Sequence, residues 1–319
     1  MKYVVCFFYM ILFYYFCSAG TLYDLWGPSL YSSFPSDSRN ALPNDPSTPK
    51  NCTPVCLLPP LLNKIGTIRR VDVPGDKKVV ALTFDMCELV TKTTGYDTDI
   101  INFLRLHQIP ATLFLGGKWM RTHSERAMQL IADPLFEIGN HAWAHGNFGI
   151  MSEAKMKEQI LWTQAQYETL RKQVIEYIKL KNFPLPTIPE CMQLFRLPYG
   201  RCTEQALKLL SELGFYVIQW DVVAEVHNNN SIQGLEQYVV KNVKSGSIIL
   251  FHANCVPIGS AMLLKKTVEL LKHQGYQFVT VSTLLTMGKP QYTMDGYFTS
   301  PGDNLSLDKK FGIDGTGLK

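Results

Sequence analysis

From residue 79 to about residue 288 the chain alternates short apolar runs with longer stretches whose apolar residues recur every three or four positions. The runs VVALTF (79–84), ATLFLGG (111–117), FEIGN (136–140), LFRLPYG (194–200), FYVIQWD (215–221), SIILFHAN (247–254) and QFVTVSTLL (277–285) predict strands rich in Val, Ile, Leu and Phe. Between them, 96–108, 124–133, 203–214, 232–243 and 261–273 read as helices. The longest helical stretch, 152–181, places Met156, Ile160, Tyr167, Leu170, Val174 and Tyr177 on one face and stops before Pro184. Seven or so strand–helix units of this kind predict an α/β fold with a parallel sheet covered by helices, either open and doubly wound or closed as a barrel. In both, ligands bind beyond the carboxyl ends of the strands.

The flanks have a different character. Residues 1–19 carry one lysine, an apolar stretch at 3–16 and small residues before Ala19, the pattern of a cleaved signal peptide. The stretch is short for a membrane span, which needs about 20 residues, so the expectation is an exported protein with no stable span: periplasmic, cell-envelope or secreted. Residues 20–74, rich in Pro, Ser and Asn and without a period, predict an irregular extension. The domain is placed at 75–290, and 291–319 reads as a polar, mobile tail.

Composition narrows the partners. The net charge is +4 with no long basic run, so electrostatics give no case for nucleic acid. Six cysteines remain after the leader, Cys52, Cys56, Cys87, Cys191, Cys202 and Cys255, an even number in a compartment that permits disulfides. Spacing leaves the pairing open: Cys52 with Cys56, Cys191 with Cys202, Cys87 with Cys255 at a common rim, or free buried thiols.

The residues after each run carry the chemistry. They are Asp85, then His141 and His145, Arg196 and Tyr199, Trp220 and Asp221, and His252. Two histidines four apart suit a single Zn²⁺-like ion. An imidazole held rigidly at a strand end suits a general acid, and a carboxylate kept ionised by a nearby guanidinium suits a base that takes a proton from an attacking water. Together they predict metal-assisted hydrolysis of a polarised carbonyl.

LTFD (82–85), HAWAH (141–145), RLPYG (196–200), WD (220–221) and ILFH (249–252) resemble, in order and approximate spacing, the five motifs of the NodB-like polysaccharide deacetylases, carbohydrate esterase family 4. The resemblance covers residues 78–288. It implies a distorted (β/α) barrel of about seven parallel strands and removal of N-acetyl groups from amino-sugar glycans such as chitin oligomers or peptidoglycan. It also implies roles: Asp85 as base, Arg196 as its partner, His252 as acid, His141 and His145 as metal ligands, the Tyr199 backbone N–H as oxyanion donor and Trp220 as a pocket wall.

Two positions depart from the family pattern. Met86 stands where the family usually has a second, metal-binding aspartate, and a thioether is a poor Zn²⁺ ligand beside oxygen donors. Cys87 or Glu88 completes the site, or two histidines and waters hold the ion, or no metal is used; Glu88 is taken as the third ligand. In QWDVVAEV the acidic residue that tunes the family's catalytic histidine is displaced, leaving Asp221 or Glu225, of which Asp221 is taken as the partner of His252. The alternatives to an N-deacetylase are a catalytically silent carbohydrate-binding relative and an O-acetyl polysaccharide esterase.

Overall fold

The computed structural model describes residues 21–61, 63–184, 186–226, 229–310 and 315–316, so the expected leader lies outside it. Among the described residues ten strands form one sheet system: β1 (Thr67–Asp72), β2 (Val79–Met86), β3 (Ala111–Leu115), β4 (Phe136–Asn140), β5 (Leu194–Phe195), β6 (Tyr216–Ile218), β7 (Val222–Val223), β8 (Ile248–His252), β9 (Gln277–Phe278) and β10 (Lys289–Thr293). Their order is β10-β1-β6-β5-β4-β3-β2-β8-β7, with β9 beside the start of β2. Every pairing is parallel except β1 with β10. The sheet curls until β1 meets the approach to β8 through an Arg70–Ser247 bridge and a Val71 N–H to Gly246 carbonyl bond of 3.0 Å. The result is a distorted half-barrel with helices outside.

Alternation along β2 and β8 explains how this barrel presents chemistry. Val80, Leu82, Phe84 and Met86 pack with Ile249 and Phe251 against the helices, whereas Ala81 joins Ile248, Leu250, Phe114 and Trp220 in a separate cluster inside the curl. With a side-chain period of two, Asp85 and His252 continue the inward rows to the carboxyl ends. Met86 belongs to the outward row, under the helical layer.

The long helix spans Glu153–Leu180, capped by Ser152, whose Oγ accepts the Lys155 N–H. Met156, Ile160, Tyr167, Leu170 and Val174 are buried as the period predicts, and Ile178 is the buried residue of the last turn, while Tyr177 stacks on Trp26 at its margin. One expected strand is mostly helix. Of 277–285 only Gln277–Phe278 is strand; Thr280 then caps a helix, Val281–Thr286, by accepting the Thr283 N–H.

Both flanks are built into the fold. The extension contains a short helix, Leu22–Trp26, and β1 itself, whose Ile68 and Val71 are fully buried. Asp37 reaches the helix Ser124–Ala132 to pair with Arg126, whose guanidinium also donates to the carbonyls of Ser29 and Ser32. Cys56 is disulfide-bonded to Cys191, Cα atoms 5.8 Å apart; Cys52, Cys87, Cys202 and Cys255 are free. The pairings Cys52–Cys56, Cys191–Cys202 and Cys87–Cys255 are therefore absent. The expected mobile tail instead adds β10 to the sheet edge and returns over the barrel mouth, with Asp308 paired to Arg201 and bonded by Asn147. Among the described residues no helix is long and apolar enough to cross a membrane.

Candidate active site

Asp85 and His252 are register partners on adjacent parallel strands, β2 and β8. Asp85 is 3% exposed; its Oδ1 accepts Arg196 Nη1 at 2.9 Å, and its Oδ2 lies 3.4 Å from His141 Nε2. Arg196 is fully buried after β5 and fixed on all sides: it donates to Thr83 Oγ1 and to the carbonyls of Ile218 and Gln219, and its guanidinium lies over the Phe114 ring at 4.0 Å. Burial pushes the Asp85 carboxyl towards its neutral form, but His141, Arg196 and His252 outweigh it and hold the group below its ordinary value.

His252 donates from Nδ1 to Glu225 Oε2 at 2.5 Å. Its side chain is 24% exposed and that of Glu225 only 4%, so the imidazole reaches the cleft while its partner stays inside. Burial favours the neutral ring; the Glu225 charge and hydrogen bond, helped by Asp85, overcome this and raise its affinity for a proton. A carboxylate with lowered proton affinity and an imidazole with raised proton affinity thus stand on adjacent strands, the pairing that general acid–base catalysis needs.

The 141–145 segment is a turn, with Ala142 at φ 62° and His145 at φ 54°. It still brings the rings together, centroids 4.9 Å apart. His141 Nδ1 donates to the Arg196 carbonyl at 2.9 Å, which leaves Nε2 as a bare lone pair. That nitrogen is buried, has no hydrogen-bond partner and faces a carboxylate oxygen. Burial, and for His145 also the neighbouring His141 and His252, lower the affinity of both rings for a proton below that of an ordinary histidine. Cys87 Sγ and one nitrogen of each histidine lie within 4.8 Å of one another. Two imidazole nitrogens and a thiol sulfur that converge on one point are what a divalent cation satisfies once the thiol gives up its proton, so the donor set fits a metal.

Two expectations are corrected. Glu88 points outward, next in phase after Met86, where Lys118 Nζ (2.8 Å), Thr122 Oγ1 (2.9 Å) and the Thr94 N–H (3.1 Å) occupy its carboxylate. It lies outside the histidine cluster. Asp221 does not meet His252: it accepts from Ser247 Oγ and the Ile248 N–H, both at 2.9 Å, and so secures the entry to β8. Glu225 takes the place expected for Asp221, because β7 carries the chain along β8 before releasing it beside His252. Alternation from Asp85 was the signal that separates Cys87 from Glu88.

The remaining predicted residues sit at the same mouth. Tyr199 adopts φ 60° and packs its ring edge-on against His145 at 4.2 Å. Trp220 is 2% exposed, 5.3 Å from the Arg196 guanidinium, and donates from Nε1 to the Phe298 carbonyl at 2.8 Å. It buttresses Arg196 from beneath the tail. Asn304, which the sequence did not single out, is 2% exposed and donates to the Tyr199 carbonyl at 3.0 Å.

Comparison with known proteins places this geometry. Residues 72–218 match the family model described as polysaccharide deacetylase. A peptidoglycan-N-acetylglucosamine deacetylase of Bacillus cereus is 30% identical over 217 residues, 67% of this chain and 91% of that protein. A chitooligosaccharide deacetylase of Rhizobium leguminosarum is 26% identical over 159 residues, half of this chain and 62% of its own length. Among solved structures, the peptidoglycan deacetylase PdaC of Bacillus subtilis aligns with a TM-score of 0.51 at 27% identity, covering 67% of this chain and 93% of that one. The chain therefore belongs to the NodB-like polysaccharide deacetylases, carbohydrate esterase family 4. It is an enzyme of that deacetylase class.

Proposed function

We propose that the chain is an exported hydrolase that removes N-acetyl groups from amino-sugar glycans of the peptidoglycan or chitooligosaccharide type, with Zn²⁺ at the His141–His145 pair. The observation that carries this reading is the register of Asp85 beside His252, one held by Arg196 and the other by Glu225. A bound divalent cation would polarise the acetyl carbonyl and acidify the attacking water. Asp85, kept ionised, takes a proton from that water. The Tyr199 N–H, carried on a backbone that Asn304 holds through the adjoining carbonyl, is the donor for oxygen charge developing on the former carbonyl. His252 gives its proton to the leaving nitrogen, and Glu225 steadies the ring while it is charged.

The names of the relatives support the glycan class: one is a peptidoglycan-N-acetylglucosamine deacetylase, another a chitooligosaccharide deacetylase. A disulfide between Cys56 and Cys191 supports export. The test is acetate release from N-acetylated and O-acetylated glycans by the mature protein, before and after chelation and metal return. Release from the N-acetylated substrates, lost on chelation and restored by Zn²⁺, is expected. Release confined to the O-acetylated substrates would replace the amide reading with an ester one, and no release from either would refute the reading.

A further inference from the structure

We propose that Cys87, as a thiolate, is the third protein ligand of the cation, making the centre a sulfur–nitrogen site selective for Zn²⁺ rather than the hard, oxygen-preferring divalent ions. The proposal rests on the hydrolase reading above and names a property of the same site.

Five observations converge on it. Cys87 directly follows β2, and the two-residue period that turns Asp85 inward and Met86 outward turns Cys87 inward again. Its Sγ is within 4.8 Å of nitrogens on both histidines. Its backbone is fixed, the carbonyl accepting Thr94 Oγ1 at 2.8 Å and Asn254 Nδ2 at 3.0 Å. Gly116 permits this position: a Cβ there would sit 3.3 Å from both Cα and Cβ of Cys87. The neighbouring carboxylate is unavailable, since Glu88 is buried against Lys118 and Thr122.

The other free thiols are elsewhere. Cys52 Sγ donates to the Pro49 carbonyl in the extension, Cys202 packs with Phe195, Leu207 and Leu210, and Cys255 Sγ is directed at the Asp37 carbonyl. Cys87 is buried and, among the described residues, has no disulfide partner. On binding, its proton leaves to solvent as the sulfur–metal bond forms. The ligand then carries the single negative charge that a carboxylate would have brought, with a softer donor. Thiolate with two imidazoles is a donor set that favours Zn²⁺ over Mg²⁺, Ca²⁺ or Mn²⁺.

The experiment is metal spectroscopy on the full mature protein, independent of turnover. Zn²⁺-loaded wild type is expected to show one sulfur scatterer at about 2.3 Å by X-ray absorption, and the Co²⁺ form a thiolate-to-cobalt charge-transfer band. Cys87→Ser is expected to lose both signals and to bind Zn²⁺ more than about tenfold more weakly, whereas Cys202→Ser keeps both. A wild-type Zn²⁺ spectrum with nitrogen and oxygen neighbours alone would overturn the proposal even if Cys87→Ser failed to fold. So would a charge-transfer band that survives in Cys87→Ser. Acetate release is scored separately: an active enzyme lacking sulfur ligation would sink the thiolate ligand and leave the hydrolase reading standing. Sulfur ligation in a protein inactive on acetylated glycans would do the reverse.

Discussion

Glu225 and Asp221 are both acids near the end of a strand, four positions apart, yet they do different work. Asp221 is used up by Ser247 and the Ile248 N–H, whereas Glu225 holds the His252 ring at 2.5 Å. The pH dependence follows from sign. Glu225 raises the affinity of His252 for its proton, so the acid form persists to higher pH and activity falls only as pH rises through that elevated value. Glu225→Gln removes the opposing charge, and the basic limb of kcat/KM against pH is expected to move to lower pH. Asp221→Asn should leave that limb in place. Identical limbs in wild type and Glu225→Gln would show that the pair does not tune the acid. At this scale the sequence was legible where a polar side chain sat at or just past the end of a strand, as with Asp85, Arg196 and His252, which the fold brings to one mouth. It was less so where a side chain's partner depended on a bend, as with Glu225, or on strand phase, as with Cys87 against Glu88.

Strands β2, β8 and β3 read clearly from their apolar runs because both faces are buried. Strands β1, β7 and β10 did not. The first is broken by Arg69 and Arg70, the second is two residues long, and the third lies half-exposed at an edge. The C-terminal segment was read as loose because its anchors are single polar contacts without a period. Yet it supplies the Phe298 carbonyl to Trp220, Asn304 to the Tyr199 carbonyl and Asp308 to Arg201. Gly200, at φ 64°, lets it pass closely: a Cβ there would come within 2.4 Å of the Tyr297 carbonyl oxygen. Asn304→Ala removes the donor that fixes the Tyr199 peptide, and kcat is expected to fall about tenfold with KM little changed, since small displacements of an oxyanion donor are costly in the transition state. A parallel loss in KM alone, or none in either, would confine Asn304 to a packing role.

At the scale of the whole molecule, the deacetylase domain is held by chain from both ends. Asp37 neutralises buried Arg126, β1 completes the curl, β10 extends its edge, and the Cys56–Cys191 disulfide spans 135 residues. No local pattern announces that bridge, because its partners meet only after the sheet and the long helix have packed. Peptide mapping of the unreduced mature protein is expected to recover Cys56 linked to Cys191 with Cys52, Cys87, Cys202 and Cys255 alkylatable after denaturation. Cys56→Ser is expected to lose about 2–5 kcal/mol in denaturant unfolding. Recovery of Cys191 linked to Cys202 would contradict the packing of the extension.

The central claim is that the barrel delivers a base, Asp85, beside an acid, His252, at a metal-fitting mouth. Its most direct test is acetate released from N-acetylglucosamine oligomers or peptidoglycan by wild type and Asp85→Asn at matched Zn²⁺ content and matched circular dichroism. Steady release by wild type and a loss of about 100-fold or more in kcat for the variant, the size of a general-base contribution, are expected. Equal rates in the two proteins would contradict the claim.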